Sequence, residues 1–142
     1  MLKIILASHG KMAAGAKDTA EMILGELPNL HAVSTTRDET KNVADSVRDL
    51  LRGWSADDDV FILTDVLGGS VNNDLLALLP THPRLKLLCG MNMSLILNLA
   101  ALEEAPDEDD LVELLNQARE EIMDCGAALG RAASISEEED EL

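Results

Sequence analysis

Residues 2–10, LKIILASHG, carry the strongest signal for the fold. A largely apolar run from Leu2 to Ala7, rich in isoleucine and leucine, ends at the polar turn Ser8-His9-Gly10. A short apolar run of this kind is typical of a strand buried on both faces of a sheet. A second run, VFILT at residues 60–64, is the clearest strand in the sequence. The two runs predict a sheet that is covered by helices on both sides.

Helical patterns separate the predicted strands. Apolar residues recur at helical spacing after the first strand until Pro28, and again from Val43 to Trp54 in a helix that we expect to be capped near Thr40. Weaker strands are predicted at 31–34 and 85–89, with further helices at 72–79, 93–102 and 111–123. Strands separated by helices require crossover connections. The expected fold class is therefore α/β, a doubly wound, mostly parallel sheet of four to five strands with helices on both faces.

Length and composition are those of one domain. The chain has 142 residues, of which 46% are hydrophobic, and this is enough for a single core. We assign residues 1–135 to that domain and expect the acidic segment 136–142 to be a disordered tail. The segment 126–135 fits either a helix or a short edge strand.

Charge and hydropathy narrow the range of partners. A formal net charge of −16 at pH 7 disfavours nucleic acid and would suit a basic protein partner better. The sequence contains neither an 18-residue apolar run nor a signal-peptide cleavage pattern, so we expect a soluble, cytoplasmic protein. Cys89 and Cys125 lack metal-ligand spacing and should be reduced, partly buried thiols.

Two loops that follow predicted strands carry the candidate chemistry. Ligands of doubly wound folds bind at the carboxyl ends of the strands, and His9 follows the first of these strands. Asp65 follows the strand at 60–64, and Gly68, Gly69 and Ser70 then offer backbone N–H groups to an anion just before a helix. If the two strands are neighbours, Asp65 comes within hydrogen-bond reach of His9. The alternatives are a histidine that bonds a turn, an acid that caps a helix and a glycine turn without a ligand.

The pair of His9 and Asp65 makes chemical sense for a nucleophilic histidine. Such a ring presents one unprotonated nitrogen while its other nitrogen carries hydrogen. A carboxylate bonded to that N–H fixes the tautomer and stabilises the cationic ring that forms during phosphoryl transfer. Neither His31 nor His82 has an acid at comparable spacing, and we expect neither to be catalytic.

Two segments resemble the signature segments of mannose-class enzyme IIA domains of the bacterial phosphoenolpyruvate-dependent sugar phosphotransferase system. They are IILASHGKMAAGAKDTAEMILG at 4–25 and FILTDVLGGSVNN at 61–73, and a third, GMNM at 90–93, is similar to another. The resemblance covers nearly the whole chain. One departure is Val71, which stands where the family usually has the proline that begins the next helix.

The resemblance implies a phosphotransferase that acts as a relay. His9 would accept a phosphoryl group from the phosphocarrier protein HPr and pass it to enzyme IIB, Asp65 would orient the ring, and Gly68, Gly69 and Ser70 would contact the phosphoryl group. The family typically forms homodimers and serves a membrane permease through the complex. No metal or organic cofactor is expected.

Other readings stay open on the sequence. Related domains phosphorylate a dihydroxyacetone kinase subunit, and others mainly regulate gene expression. A regulatory, non-transport binding module that has kept the fold is a further possibility. Histidine phosphatases also place a histidine after the first strand, but they resemble Arg-His-Gly there, whereas this chain has Ser8-His9-Gly10. Without that arginine, hydrolysis of a phosphate monoester is poorly supported.

Overall fold

A computed structural model describes residues 1–35, 37 and 42–141, with four parallel strands in one sheet. The strand order is β2-β1-β3-β4, and β1 pairs with both β2 and β3. The strands are β1 (Leu2–His9), β2 (Leu30–Thr35), β3 (Asp59–Thr64) and β4 (Leu85–Leu88). The expected parallel α/β fold is confirmed, with four strands rather than five in the described part of the chain.

Helices connect the strands and follow the last one. They are α1 (Met12–Leu24), α2 (Val43–Arg52), α3 (Ser70–Leu76), α4 (Met93–Ala100), α5 (Glu108–Glu120) and α6 (Cys125–Glu141), and a short 3-10 helix spans Leu79–Thr81. None of the described helices is both long enough and apolar enough to cross a bilayer.

Both faces of the sheet are buried because successive side chains of a strand point to opposite sides. On one face, Leu2, Ile4 and Leu6 join the apolar residues of α1, α4 and α5 in one core. On the other face, Ile5 and Ala7 join those of α2 and α3 in a second core. The double coverage explains why β1 reads as a continuous apolar run rather than an alternating one.

Some details differ from the sequence-based expectations. Thr40 lies outside the described residues, and α2 is capped by Asn42, whose side chain accepts a hydrogen bond from the Ala44 N–H. Segment 126–135 is helical, not an edge strand, and the backbone of 136–141, for which we expected disorder, continues the same helix α6. Cys89 is half-buried as expected, but Cys125 is exposed. No core element covers it, because it lies at the start of α6, where nearly every described side chain is exposed.

The sheet order creates a switch point next to β1. From β1 the chain runs to β2 on one side and then returns to β3 on the other side. The connections leave in opposite directions at the carboxyl ends of β1 and β3, and this opens a crevice there. His9 is the last residue of β1, and Asp65 is the first residue after β3.

Candidate functional site at the switch point

His9 is held on a rigid turn between β1 and α1. The buried Ser8 side chain accepts a hydrogen bond from the Ala13 N–H at 2.7 Å and so satisfies one of the free donors at the start of α1. Gly10 has φ of +57° and donates its N–H to the Thr35 carbonyl at 2.7 Å. The left-handed conformation suits glycine and turns the chain sharply after His9. The imidazole therefore projects from a fixed backbone.

Asp65 holds His9 by two hydrogen bonds to a single oxygen. Its Oδ2 lies 2.8 Å from the His9 ring nitrogen Nδ1 and accepts the His9 backbone N–H at 2.9 Å. Its Oδ1 accepts the Val66 N–H at 3.0 Å. The Asp65 side chain is 7% exposed, whereas that of His9 is 50% exposed. The carboxylate is thus buried behind a ring that remains open to solvent.

These contacts determine which ring nitrogen of His9 carries hydrogen. An ionised carboxylate can only accept hydrogen bonds, so Nδ1 must be the donor to Asp65. In the neutral ring, Nε2 then carries the free electron pair. The Ser70 hydroxyl lies 3.1 Å from Nε2 and can donate to it. The nitrogen available for nucleophilic attack is therefore Nε2.

Opposing influences act on the pKa of Asp65. Burial of the carboxyl is the largest single influence and raises the pKa. The hydrogen bonds from the His9 backbone and ring, together with the attraction of a charged His9 ring, outweigh it and place the pKa of Asp65 below its usual value. Asp65 is therefore ionised at neutral pH and faces the ring as a negative charge.

The loop after Asp65 is fixed by a buried polar pair. The Thr64 hydroxyl donates to the Asn72 side chain at 2.8 Å, and both residues are buried. This bond joins the end of β3 to α3. The helix begins at Ser70 without the proline that is usual in the resembled family, and Gly69 is its N-cap.

The glycines of this loop differ from the expectation in one respect. The Gly69 N–H is not free, because it donates to the Val66 carbonyl at 3.3 Å. Within the described part of the chain, the backbone N–H groups of Gly68 and Ser70 have no acceptor. A Cβ at Gly69 would lie 3.4 Å from the His9 ring carbon Cε1. Gly69 therefore allows the loop to pass close beside the imidazole.

The other two histidines lie away from this crevice. His31 is within β2, where its ring contacts Trp54 at a centroid distance of 4.8 Å. His82 follows the 3-10 helix, and its Nδ1 lies 3.0 Å from the Leu78 carbonyl. The described residues contain no group of three or more His, Cys, Asp or Glu side chains that could hold a metal ion.

Three supporting residues were not predicted from the sequence: Ser8, Thr64 and Asn72. Each is polar and buried at the carboxyl end of a strand or in the following helix. A buried polar side chain requires a partner, so a polar residue at the end of an apolar run was a usable signal. The partners themselves depend on the tertiary structure.

The fold and this crevice define an α/β protein whose exposed histidine is oriented by a buried carboxylate at Nδ1 and presents Nε2 at the open side of the ring. Residues 3–116 match the model of the EIIA-man family, described as the PTS system fructose IIA component. The chain belongs to this family, the mannose-class enzyme IIA components of the phosphotransferase system.

Individual relatives agree with the family match. A sorbose-specific EIIA component of Klebsiella pneumoniae is 31% identical over 81% of this chain and 84% of its own length. A fructose-specific EIIA component of Bacillus subtilis is 25% identical over the full length of both chains. The solved PTS IIA protein associated with the fucose utilization operon of Streptococcus pneumoniae has a TM-score of 0.73 and 27% identity, over 90% of this chain and 96% of its own.

Proposed function

We propose that the protein is a phosphocarrier in which His9 accepts a phosphoryl group from phospho-HPr and passes it to enzyme IIB of a sugar permease. The observation that carries the proposal is the 2.8 Å contact between His9 Nδ1 and Asp65, which in the neutral ring places the free electron pair on the open Nε2. Membership of a phosphotransferase-system IIA family supports the same role.

In the first step the electron pair of His9 Nε2 forms a bond to phosphorus while the bond between phosphorus and the donor histidine breaks. The donor ring keeps the electron pair of the broken bond. The His9 ring keeps its Nδ1 proton and becomes positively charged, and the Asp65 carboxylate stabilises this charge. In the second step an acceptor histidine attacks phosphorus, and Nε2 regains its electron pair.

The loop at 68–70 would bind the phosphoryl oxygens. The Ser70 hydroxyl, 3.1 Å from Nε2, can rotate to donate to an oxygen of the transferred group. The backbone N–H groups of Gly68 and Ser70 would add further donors, and Gly69 leaves room beside the ring. Phosphoryl transfer depends chiefly on such positioning and charge stabilisation.

The proposal extends to the assembly and the location of the protein. We propose a cytoplasmic homodimer in which residues 1–135 form the IIA domain and 136–142 an acidic extension, and which reaches the membrane only through its complex with the permease. Exposed apolar residues near the carboxyl-terminal end of the chain, among them Leu129 at 73% exposure, support a further protein contact there.

The test is phosphorylation by purified enzyme I, HPr and phosphoenolpyruvate. We expect an adduct that is labile in acid and stable in base, as a phosphohistidine is, and its discharge by a mannose-class enzyme IIB. Discharge only by a dihydroxyacetone kinase subunit would redirect the relay to that branch. Failure to form any adduct would reject the phosphocarrier role, and steady release of phosphate from phenyl phosphate would favour a phosphatase.

A further inference from the structure

A second concave site lies at the opposite end of the sheet from His9. It is a cavity of about 430 Å³ between the end of α2, the 3-10 helix and the first residues of β3 and β4. Leu51, Val60 and Leu85 give it an apolar floor, and Trp54 forms part of its wall. This volume falls in the range of small-molecule sites. The proposed phosphoryl transfer does not use it.

Three arginines from two separate elements meet at this cavity. Arg48 and Arg52 come from α2, and Arg84 comes from the loop before β4. The whole chain has 11 Lys and Arg against 27 Asp and Glu, so three cations at one cavity are a marked local concentration. Helical periodicity accounts for the first two, but it does not account for the convergence of Arg84.

The arginines keep donors for a ligand despite their existing contacts. Arg48 and Arg52 each use Nη1 in an ion pair with an aspartate three residues earlier. Arg84 uses Nη1 to bond the Asp57 carbonyl, and the same nitrogen lies 3.6 Å from Asp59 Oδ1. A guanidinium has five N–H donors and no acceptor. Ion pairs at an exposed surface contribute little and yield to a better partner. The groups that can satisfy the remaining donors are anions or other acceptors.

One acid also lines the cavity, but it is held in place. Asp58 accepts a hydrogen bond from the Ser55 N–H at 3.2 Å and lies 3.4 Å from the Met1 amino group. Its side chain is only 14% exposed. The cation Lys3 lies 5.5 Å from the centre of the Trp54 ring. The cavity therefore combines an apolar floor with three arginines, and each arginine keeps N–H donors beyond its contact with an aspartate.

We propose that this cavity binds a small organic anion, with its apolar body on Leu51, Val60 and Leu85 and its acidic group on the arginines. We expect both parts of the ligand to contribute, because the floor is apolar and the arginines offer only N–H donors. At about 3.3 Å per residue along β1, the cavity lies roughly 20 Å from His9. Binding there is independent of the phosphoryl site.

Trp54 provides a specific reporter, since it is the single tryptophan of the chain. We would titrate the full chain with phenyl phosphate and follow the indole N–H signal of Trp54 by NMR. Phenol and inorganic phosphate test the two halves of the probe separately, and phenylacetate tests whether a carboxylate replaces the phosphate. We expect saturable shifts with phenyl phosphate and at least about tenfold weaker binding of phenol and of phosphate.

Substitutions of the arginines test which side chains bind the phosphate group of the probe. Arg52→Gln and Arg84→Gln should each weaken phenyl phosphate roughly tenfold, as loss of a charged hydrogen bond does. Arg119→Gln on α5, away from the cavity, and His9→Ala should leave the affinity unchanged. The proposal is overturned if the Trp54 signal does not shift saturably, if phenol binds as well as phenyl phosphate, or if the arginine variants bind as the unaltered chain does.

Discussion

His9 and His31 lie on neighbouring strands of the same sheet, yet their surroundings differ in every respect that matters to chemistry. His31 pairs in register with Ile5, near the middle of β1, whereas His9 ends that strand. Burial lowers the pKa of His31, and the positive charges of Lys3 and Lys17 lower it further. Its Nε2 is buried and has no hydrogen-bond partner among the described residues.

Under the proposed function, the difference indicates why His9 rather than His31 would carry the phosphoryl group. His31 is surrounded by an aromatic ring and cations, so a positively charged adduct on it would be repelled and could not reach a partner protein. His9 has a buried carboxylate behind Nδ1 and open space before Nε2. The position at a strand end provides access, and Asp65 provides the charge and the tautomer.

The largest expected effect separates the histidines directly. His9→Ala should abolish labelling by enzyme I, HPr and radioactive phosphoenolpyruvate, because the attacking nitrogen is lost. His31→Phe and His82→Ala serve as matched controls and should label at the rate of the unaltered chain. Label that survives His9→Ala, or that is lost in His31→Phe, would contradict the proposal that His9 rather than His31 is phosphorylated.

Removing the charge behind His9 should bring the next largest effect. Asp65→Asn keeps the shape and an oxygen acceptor but loses the negative charge. We expect phosphoryl transfer to slow by roughly 10- to 100-fold, the equivalent of about 1.5–3 kcal/mol for a hydrogen bond to a charged group. Rapid-quench kinetics would measure the rate. Asp107→Asn, at the N-cap of α5, is the matched control, and equal rates in both variants would refute the role of Asp65.

The Ser70 hydroxyl on the open side of His9 should contribute less to the rate of phosphoryl transfer than Asp65 does. Ser70→Ala removes a hydroxyl that is exposed and can be replaced by water, so we expect only about a 2- to 10-fold slower transfer. Ser55→Ala, just before β3 at the opposite end of the sheet, also removes an exposed hydroxyl and should have no effect. A Ser70→Ala loss as large as that of Asp65→Asn would show that the loop, not the carboxylate, dominates.

The smallest expected effect is that of His31 on the pH dependence of the free energy of unfolding. Its folded pKa lies below that of the unfolded chain, so the unfolded state binds more protons as pH falls through about 6.5. The contribution of His31 to stability is therefore present above that pH and is lost as pH falls through the folded pKa. Urea unfolding at several pH values from 7.5 to 5 gives the free energy of unfolding as a function of pH. This free energy should fall less steeply with decreasing pH in His31→Phe than in the unaltered chain. An equal pH dependence in the two proteins would mean that the pKa of His31 does not change on folding.

The outline of the fold was predictable from sequence because β1 and β3 are short apolar runs between helical patterns. His9 and Asp65 were predictable as candidates because each ends such a run. The short distance between His9 and Asp65 could not be predicted, because the strand order β2-β1-β3-β4 depends on how α1 and α2 pack against the two faces of the sheet. The apolar residues at 126–141 follow neither a helical nor a strand period. The local sequence pattern therefore did not identify α6.

The role of the loop glycines shows the same limit. Two adjacent glycines before a helix indicated free N–H groups, but the bond from Gly69 to the Val66 carbonyl follows from the turn that the loop adopts. The bond between Thr64 and Asn72 fixes this loop by joining the end of β3 to α3, and that contact depends on the packed structure.

The most direct test is nitrogen-15 NMR of the His9 ring before and after phosphorylation by HPr. The geometry predicts a proton on Nδ1 in the free protein and, after transfer, phosphorus coupling to Nε2 with the Nδ1 proton retained against Asp65. Phosphorus bonded to Nδ1, or to a ring other than that of His9, would show that Asp65 does not occupy one nitrogen so that the other can carry phosphate.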